Sequence, residues 1–558
     1  MSRKPDFEYI LQTQPLERKR HIQDNSTGPV FAQNRLILSG QGESLERLFK
    51  RYMAKPLELD GCKSYRIRDV VRVGGDLFRD NVPVLHTLVK GEPIAPILLD
   101  NYMTKDEDEA LLGYDDDDNE VLESYVVSFD PPAKSEDLKK LAQELVEQSR
   151  FFQDTEDEVK GFSVNHDHVF SLKRVPFLSP FRIKGGSLNI TPFATTQNQK
   201  TVEDVFRDQP CWDEIGFSDE SLNREITGQA TVVIFDTAPD IKAIHSALTN
   251  NIIQYYIDMK PGTFIPSQKP QDMDLKMLHR WSSVRETPPI FTDKGKDIEP
   301  EDLVPYHGVL AASLIHHIVP DAQIILVNVF DHDGETTGST LTGALDLILR
   351  ICDNPVEIYG EEYLKIDPSK LVYNLSLGIP RSLAEYVDAG YLLKACKRAC
   401  KKGMYKSHEK PDQTTGAVIV AAAGNDSYYL HMFNPEEPAA YGFYNDDWDV
   451  YNKTIAVAGS RIKSEEYVLY SNQGNLAAPG DYLLMDTGND DAPFGRYVYW
   501  AGTSFATPLV SGAAAFLLQK GYTPDIIKNQ LWKGATQNAI NKNFTWKAAP
   551  IINLALSL

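Results

Sequence analysis

The sequence predicts an α/β fold, a parallel β-sheet sandwiched between helices and preceded by a smaller α+β N-terminal region. Three observations lead there. From about residue 230 onward, short apolar runs rich in β-branched residues alternate with segments of helical periodicity. Those runs are apolar on both faces, as strands buried between two helical layers must be. The first 220 or so residues instead hold isolated strand-helix pairs divided by acidic and polar linkers.

In chain order, 34–39 reads as a strand and 44–53 as an amphipathic helix. A second such pair falls at 124–129 and 135–149, where leucines recur at helical spacing. The linkers are 104–120 and 154–159, and the stretch around 195–225 joins this region to the rest. The strands of the main sheet are expected at 231–235, 324–330, 371–375, 417–423 and 454–458, with helices at 341–351 and 384–401. The expected division is 1–222 for the N-terminal region and 223–558 for the main domain.

With 79 acidic against 57 basic residues, the 558-residue chain carries a formal net charge of −22. Phosphate backbones would repel it, which argues against nucleic acid as a partner. The acidic run at 114–119 reads as a solvated loop rather than a cation site, and no metal is assigned. Five cysteines, Cys62, Cys211, Cys352, Cys396 and Cys400, are too few and odd in number for a disulfide framework. Cys396 and Cys400, four apart on a helix, read as reduced thiols facing the same way. The N-terminus is mixed and polar, without the apolar core of a signal peptide, and no apolar stretch of membrane-spanning length occurs. The expectation is a soluble cytoplasmic protein with no membrane contact, although non-classical export would leave the same sequence.

Three residues that could act together stand at the ends of expected elements, where reactive groups belong in an open α/β sheet. Asp236 ends the run Val232-Val233-Ile234-Phe235, His307 opens the helix that continues Gly308-Val309-Leu310, and Ser504 opens another. A serine hydroxyl is a poor nucleophile until an imidazole accepts its proton. The imidazole in turn needs a carboxylate to fix its tautomer and steady its cation. At a helix N-terminus, Ser504 would also have backbone N–H groups aimed at developing negative charge. Pro508 is expected in the first turn of that helix, where a missing N–H costs little. Each residue alone also fits a plain structural role, as a loop aspartate, a packed histidine or a helix-start serine. The ordered set carries the signal.

Gly502-Thr503-Ser504-Phe505-Ala506-Thr507-Pro508 resembles the nucleophile motif of subtilisin-like serine proteases, the subtilases of peptidase family S8. Ile234-Phe235-Asp236-Thr237 is similar to their aspartate motif and His307-Gly308 to their histidine motif, in the order Asp, His, Ser. Asn374-Leu375-Ser376-Leu377-Gly378 resembles the strand that walls the primary specificity pocket. Ala421-Ala422-Ala423-Gly424-Asn425 resembles the opposite wall. Tyr470-Ser471-Asn472-Gln473-Gly474 and Ala478-Pro479-Gly480 resemble the turn and loop before the nucleophile. The resemblance covers roughly 228–535. It implies a serine endopeptidase working through an acyl-enzyme, with Ser504 as nucleophile, His307 as general base and acid, and Asp236 as orienting carboxylate. Asn425 would complete the oxyanion hole beside the Ser504 N–H. Ser376, Leu377, Gly378, Ala422, Ala423 and Gly424 would line the substrate pocket. No cofactor is implied.

The sequence departs from the family in two places. Ala238 stands where the aspartate motif usually has Gly, and Val309-Leu310-Ala311 replaces the usual Thr-His-Val after His307-Gly308. Both bear on packing near the triad rather than on its chemistry. The segment 329–336, which includes Gly334 and Glu335, resembles the edge strand on which peptide substrates add as a further strand. Glu335 there would favour basic residues upstream of the scissile bond, unless it simply faces solvent. Asp331-His332-Asp333-Gly334 lacks the remaining spacing of a calcium loop. His316 and His317 are expected to fill or border a helix face.

Protein or peptide substrates are therefore the expected partners. The N-terminal region has two readings: a propeptide that occupies the cleft until cleaved or displaced, or a retained domain that binds a regulatory partner. A catalytically silent subtilase fold used as a binding scaffold is the alternative to an active enzyme.

Overall fold

The computed structural model describes residues 31–59, 63–72, 82–102, 122–150, 163–171, 202–217, 226–259, 304–331, 334–360, 362–379, 390–401, 416–425, 427, 434–444, 447–462, 467–468, 470–481, 483–492, 495–535, 537–540 and 547–557. The expected linkers 104–120 and 154–159 and the acidic run 114–119 lie outside these residues.

The N-terminal sheet begins with β1 (Phe31–Gln41), followed by helix α1 (Gly42–Ala54) and the strands β2 (Leu57–Leu59) and β3 (Lys63–Arg72). Next come β4 (Val84–Val89), β5 (Glu92–Pro93) and β6 (Ile97–Leu98), then β7 (Leu122–Asp130), helix α2 (Ser135–Arg150) and β8 (Ser163–Ser171). Strands β8, β1, β7, β3 and β2 lie side by side in that order, while β4 to β6 belong to the other sheet. Because strand side chains alternate between faces, the small sheet has two different sides. Leu36, Leu38, Val127 and Phe129 pack against α1 and α2 through residues such as Leu45, Leu48, Leu138 and Leu141. Ile37 and Val126 point the opposite way, into the core of the main domain.

Helices α3 (Val202–Arg207) and α4 (Pro210–Glu214) lead into the main domain, which opens with β9 (Thr231–Asp236), α5 (Ile241–Thr249) and β10 (Tyr255–Asp258). It continues with α6 (His307–Ile318), β11 (Gln323–Asn328), β12 (Glu335–Thr337) and α7 (Gly338–Asp353). A hairpin of β13 (Val356–Tyr359) and β14 (Glu362–Leu364) precedes β15 (Leu371–Leu375) and α8 (Gly390–Lys401). The remaining strands are β16 (Val418–Ala422), β17 (Thr454–Ser460), β18 (Leu476–Pro479), β19 (Leu483–Asp486) and β20 (Tyr497–Trp500). Then come α9 (Thr503–Gln519), α10 (Pro524–Gly534), β21 (Gln537–Ile540) and β22 (Lys547–Ile551).

The main sheet runs β18-β17-β16-β15-β9-β11-β10 with every pair parallel. Val232, Ile234, Ile324, Leu326, Val372 and Val420 face one helical layer, which holds α5, α6 and α9. Val233, Phe235, Ile325, Val327, Tyr373 and Ile419 face the other, under α7 and α8. The expected two-sided burial is therefore met residue by residue. Cys396 and Cys400 are both fully buried on that second side, and burial pushes the Cys400 thiol up to about 12.

Connections across the expected division at 222/223 include a strand pair and an aromatic stack. Strand β4 pairs antiparallel with β10, from Tyr255 opposite Thr87 to Asp258 opposite Val84, so an excursion of the N-terminal region extends the main sheet. On the other side of the sheet, Trp212 stacks on His317 of α6 at 4.2 Å, with Phe206 and Phe217 alongside. His317 thus borders a helix face, and burial lowers the pKa of its neighbour His316. Among the described residues, no helix is long and apolar enough to cross a membrane.

Candidate active site

Asp236 is the last residue of β9, flanked by β11 and β15, and its side chain is fully buried at the carboxyl edge of the sheet. One carboxylate oxygen accepts from the Thr237 backbone N–H at 2.7 Å. Both oxygens lie 2.9 Å from Nδ1 of His307. An imidazole held this way carries its Nδ1 proton toward the carboxylate and leaves Nε2 as the basic nitrogen. Nε2 is buried and makes no hydrogen bond among the described residues. The ring is walled by Trp500 and Phe505, with centroids 5.6 Å and 4.7 Å away.

Gly308 explains how α6 comes this close. A Cβ there would overlap the Thr237 carbonyl oxygen and would stand 2.9 Å from Cβ of Asp236. The glycine after the histidine is thus a condition of the Asp236–His307 contact.

Helix α9 starts at Thr503, so Ser504 sits in its first turn, next to the Phe505 ring that touches His307. The Ser504 hydroxyl donates to the Ser376 carbonyl oxygen at 3.2 Å rather than to His307. Catalytic contacts are often loose until substrate is bound. Pro508 does not fall in the first turn as expected. It is the sixth helical residue, where its missing N–H withdraws a bond from the Ser504 carbonyl. The Ser376 hydroxyl supplies the missing donor at 2.8 Å.

Asn425 is 8% exposed and reaches the same helix start. Its Oδ1 accepts from the Thr503 N–H at 2.9 Å and the Thr503 hydroxyl at 3.0 Å. With the oxygen so committed, its NH₂ is the end left for another acceptor.

Ser376, Leu377 and Gly378 follow β15, while Ala422, Ala423 and Gly424 end β16 and the turn after it. These two expected walls belong to adjacent parallel strands. Neither motif points to the segment that joins them. The Glu436 N–H donates to the Ala423 carbonyl, and the Ile379 N–H donates to the Glu437 carbonyl, so 436–437 bridges both walls. Glu436 and Glu437 are 8% and 2% exposed. The stretch follows the second wall but lies far from the first in sequence, and only its prolines, Pro435 and Pro438, hint at a fixed loop.

Gly334 is buried with φ +70°, a conformation that favours glycine. Glu335 lies in β12, though its side chain is outside the described residues. Strand β12 is already occupied: β8 pairs with it antiparallel, Ser171 opposite Glu335, Phe170 opposite Thr336 and Val169 opposite Thr337. Of the sequence 331–334, residues 332 and 333 are likewise not described.

Residues 296–546 match the sequence profile of the subtilase family. The chain is 27% identical over 248 residues to a subtilase-type proteinase of Saccharomyces cerevisiae, covering 42% of this chain and 40% of that one. It is 26% identical over 239 residues to a thermophilic serine proteinase of a Bacillus species, covering 40% and 45%. It is also 29% identical over 165 residues to an epidermin leader peptide-processing serine protease of Staphylococcus epidermidis, covering 24% and 32%. The matches thus span less than half the length of each of these relatives. A solved cold adapted subtilisin-like serine proteinase aligns over 44% of this chain and 74% of its own, with 22% identity and a TM-score of 0.30. The matched stretch resembles the peptidase domain of subtilisin-like serine proteases. Over that stretch the chain is similar to the subtilase family, whose members are serine peptidases. The matched stretch includes His307, Asn425 and Ser504. Asp236 lies before it and is tied to the group by its contact with His307.

Proposed function

We propose that the chain is a serine endopeptidase acting through an acyl-enzyme. The observation that carries this reading is the buried Asp236–His307 pair, both carboxylate oxygens 2.9 Å from Nδ1, beside the helix start that bears Ser504. His307 Nε2 takes the Ser504 proton as the hydroxyl attacks the scissile carbonyl, then returns it to the leaving amine. Water repeats the cycle on the ester. The Ser504 N–H and the Asn425 amide stabilise the oxyanion in both steps.

The full-length chain is read as latent. Strand β8 occupies the edge of β12 on which a substrate strand would add, and Ile37 and Val126 of the small sheet are buried against the main domain. In this reading the N-terminal region, divided from the peptidase domain near 222/223, regulates access until it is cut or displaced. A cytoplasmic site of action, with protein or peptide substrates and neither nucleic acid nor membrane as partner, belongs to the same proposal.

The test is fluorophosphonate labelling of the full-length protein, read by intact mass beside Ser504→Ala. One adduct on the wild type alone supports an activated serine, and the mass tells whether the labelled chain is shortened. No adduct, even after limited trimming of the N-terminal region, favours a silent scaffold.

A further inference from the structure

The bridge between the two walls fixes what the pocket would accept. Glu436 and Glu437 are consecutive yet turn apart. The Tyr441 hydroxyl donates to the Glu437 carboxylate at 2.9 Å, on the side of the helices α7 and α8. The Glu436 side chain lies in the space between the walls. A Cβ on Gly378 would overlap one of its carboxylate oxygens, and a Cβ on Gly424 would stand 2.9 Å from its carboxylate carbon. Both glycines therefore serve to seat this carboxylate. From Gly378 to Ser376, whose carbonyl accepts from the Ser504 hydroxyl, is two residues, at most about 7 Å of chain. A lysine or arginine side chain entering beside Ser504 has that reach.

We infer that Glu436 is a specificity residue that selects a basic side chain, lysine or arginine, immediately before the scissile bond. The inference rests on the peptidase reading above and names its substrate class. A cation entering the pocket would form charge-assisted hydrogen bonds with the Glu436 carboxylate. An apolar side chain would bring no donor to that buried carboxylate, and polar sites reject ligands that do not match their hydrogen-bonding groups. This differs from the expectation for Glu335, which concerned residues further upstream.

The experiment compares peptides identical except for Arg, Lys, Gln, Leu or Phe at that position, with wild type, Glu436→Gln and Glu436→Asp, alongside fluorophosphonate labelling. For the wild type, kcat/KM for Arg and Lys is expected at least tenfold above that for Leu and Phe. Glu436→Gln is expected to lose at least tenfold on the basic peptides relative to the Leu and Phe peptides, and Glu436→Asp to keep the basic preference. A labelled wild type that cleaves after Leu or Phe best, or an order of preference unchanged in Glu436→Gln, overturns the inference and leaves the peptidase reading standing. Absence of labelling is the failure of that reading instead. The pocket is then tested by benzamidine, an arginine mimic, through the thermal transition of the full-length chain. A stabilising shift in wild type that disappears in Glu436→Gln supports the carboxylate's role, and no shift in wild type overturns it.

Discussion

Ser376 and Ser504 exchange hydrogen bonds. The Ser376 hydroxyl donates to the Ser504 carbonyl at 2.8 Å, and the Ser504 hydroxyl donates to the Ser376 carbonyl at 3.2 Å. The first bond exists because Pro508 cannot donate to that carbonyl from within α9. The helix start is thereby fastened to the pocket wall instead of to its own next turn.

Ser376→Ala is accordingly expected to leave a buried carbonyl without its donor, at a cost of about 1–3 kcal/mol. Urea unfolding should show a lower midpoint with an unchanged slope. Adding Pro508→Ala restores a helical N–H to the same carbonyl and should recover part of the loss. Strictly additive effects of the two changes would count against the shared acceptor.

Gly308→Ala puts a methyl group where the Thr237 carbonyl and Asp236 already stand. Neither can yield cheaply, since one is backbone and the other belongs to a buried strand. Overpacking of this kind costs about 1–3 kcal/mol. The separation forced on α6 and β9 should open the Asp236–His307 contact. The expected result is a folded protein of lower thermal stability whose labelling by fluorophosphonate is slowed far more than Ser376→Ala slows it. Equal slowing in the two variants would separate Gly308 from the alignment of His307.

The main sheet was legible because burial on both faces leaves a direct mark on composition. Runs such as Val232-Val233-Ile234-Phe235 have no polar residue to spare. Asp236, His307, Asn425 and Ser504 each lie near the end of such a run or the start of a helix, where the sequence also places them. What escaped the sequence depends on contacts between distant segments. Strand β4 reads as an ordinary part of the N-terminal region until its pairing with β10 is seen. Glu436 reads as one of two acidic residues among prolines until Gly378 and Gly424 enclose it. Pro508 lies one turn deeper in its helix than the sequence suggests, because the helix boundary, unlike the helix itself, leaves little trace in periodicity.

On the proposed mechanism, Asn425→Ala should lower kcat by about 10²–10³, the cost of removing one oxyanion donor, a range taken from subtilisin. KM should change little, because the donor acts on charge that develops only in the transition state. The loss of the Oδ1 acceptor for the Thr503 N–H and hydroxyl should add a helix-capping cost of about 1 kcal/mol. Steady-state kinetics and thermal unfolding read the two effects separately. A variant with raised KM and wild-type kcat would place Asn425 in ground-state binding.

Ile37 offers a way to release the N-terminal region. It is fully buried on the face of the small sheet that meets the main domain. Ile37→Asp would bury an unpaired carboxylate while the two are docked, an expensive state, whereas on the undocked sheet the same residue faces water. Faster fluorophosphonate labelling of the full-length variant than of the wild type is expected, together with easier proteolytic loss of the small sheet. A variant that loses the region yet labels no faster would argue that docking does not restrict the site.

Asp481 follows the loop whose Gly480 carbonyl receives the Gly502 N–H. Burial pushes its carboxyl from 3.8 up to about 6, against the opposing pull of Arg461. A carboxyl raised above its unfolded value favours the fold below about pH 4, and that contribution is lost as pH rises through about 6. At neutral pH the ionised Asp481 therefore costs stability. The full shift corresponds to a ceiling of about 3 kcal/mol, and partial exposure reduces it to about 1–2 kcal/mol. Asp481→Asn should match the wild type at pH 4 and exceed it by about that amount at pH 7.5, measured as paired urea midpoints. A difference between the two proteins that stays constant across this range would assign the effect to packing and not to charge.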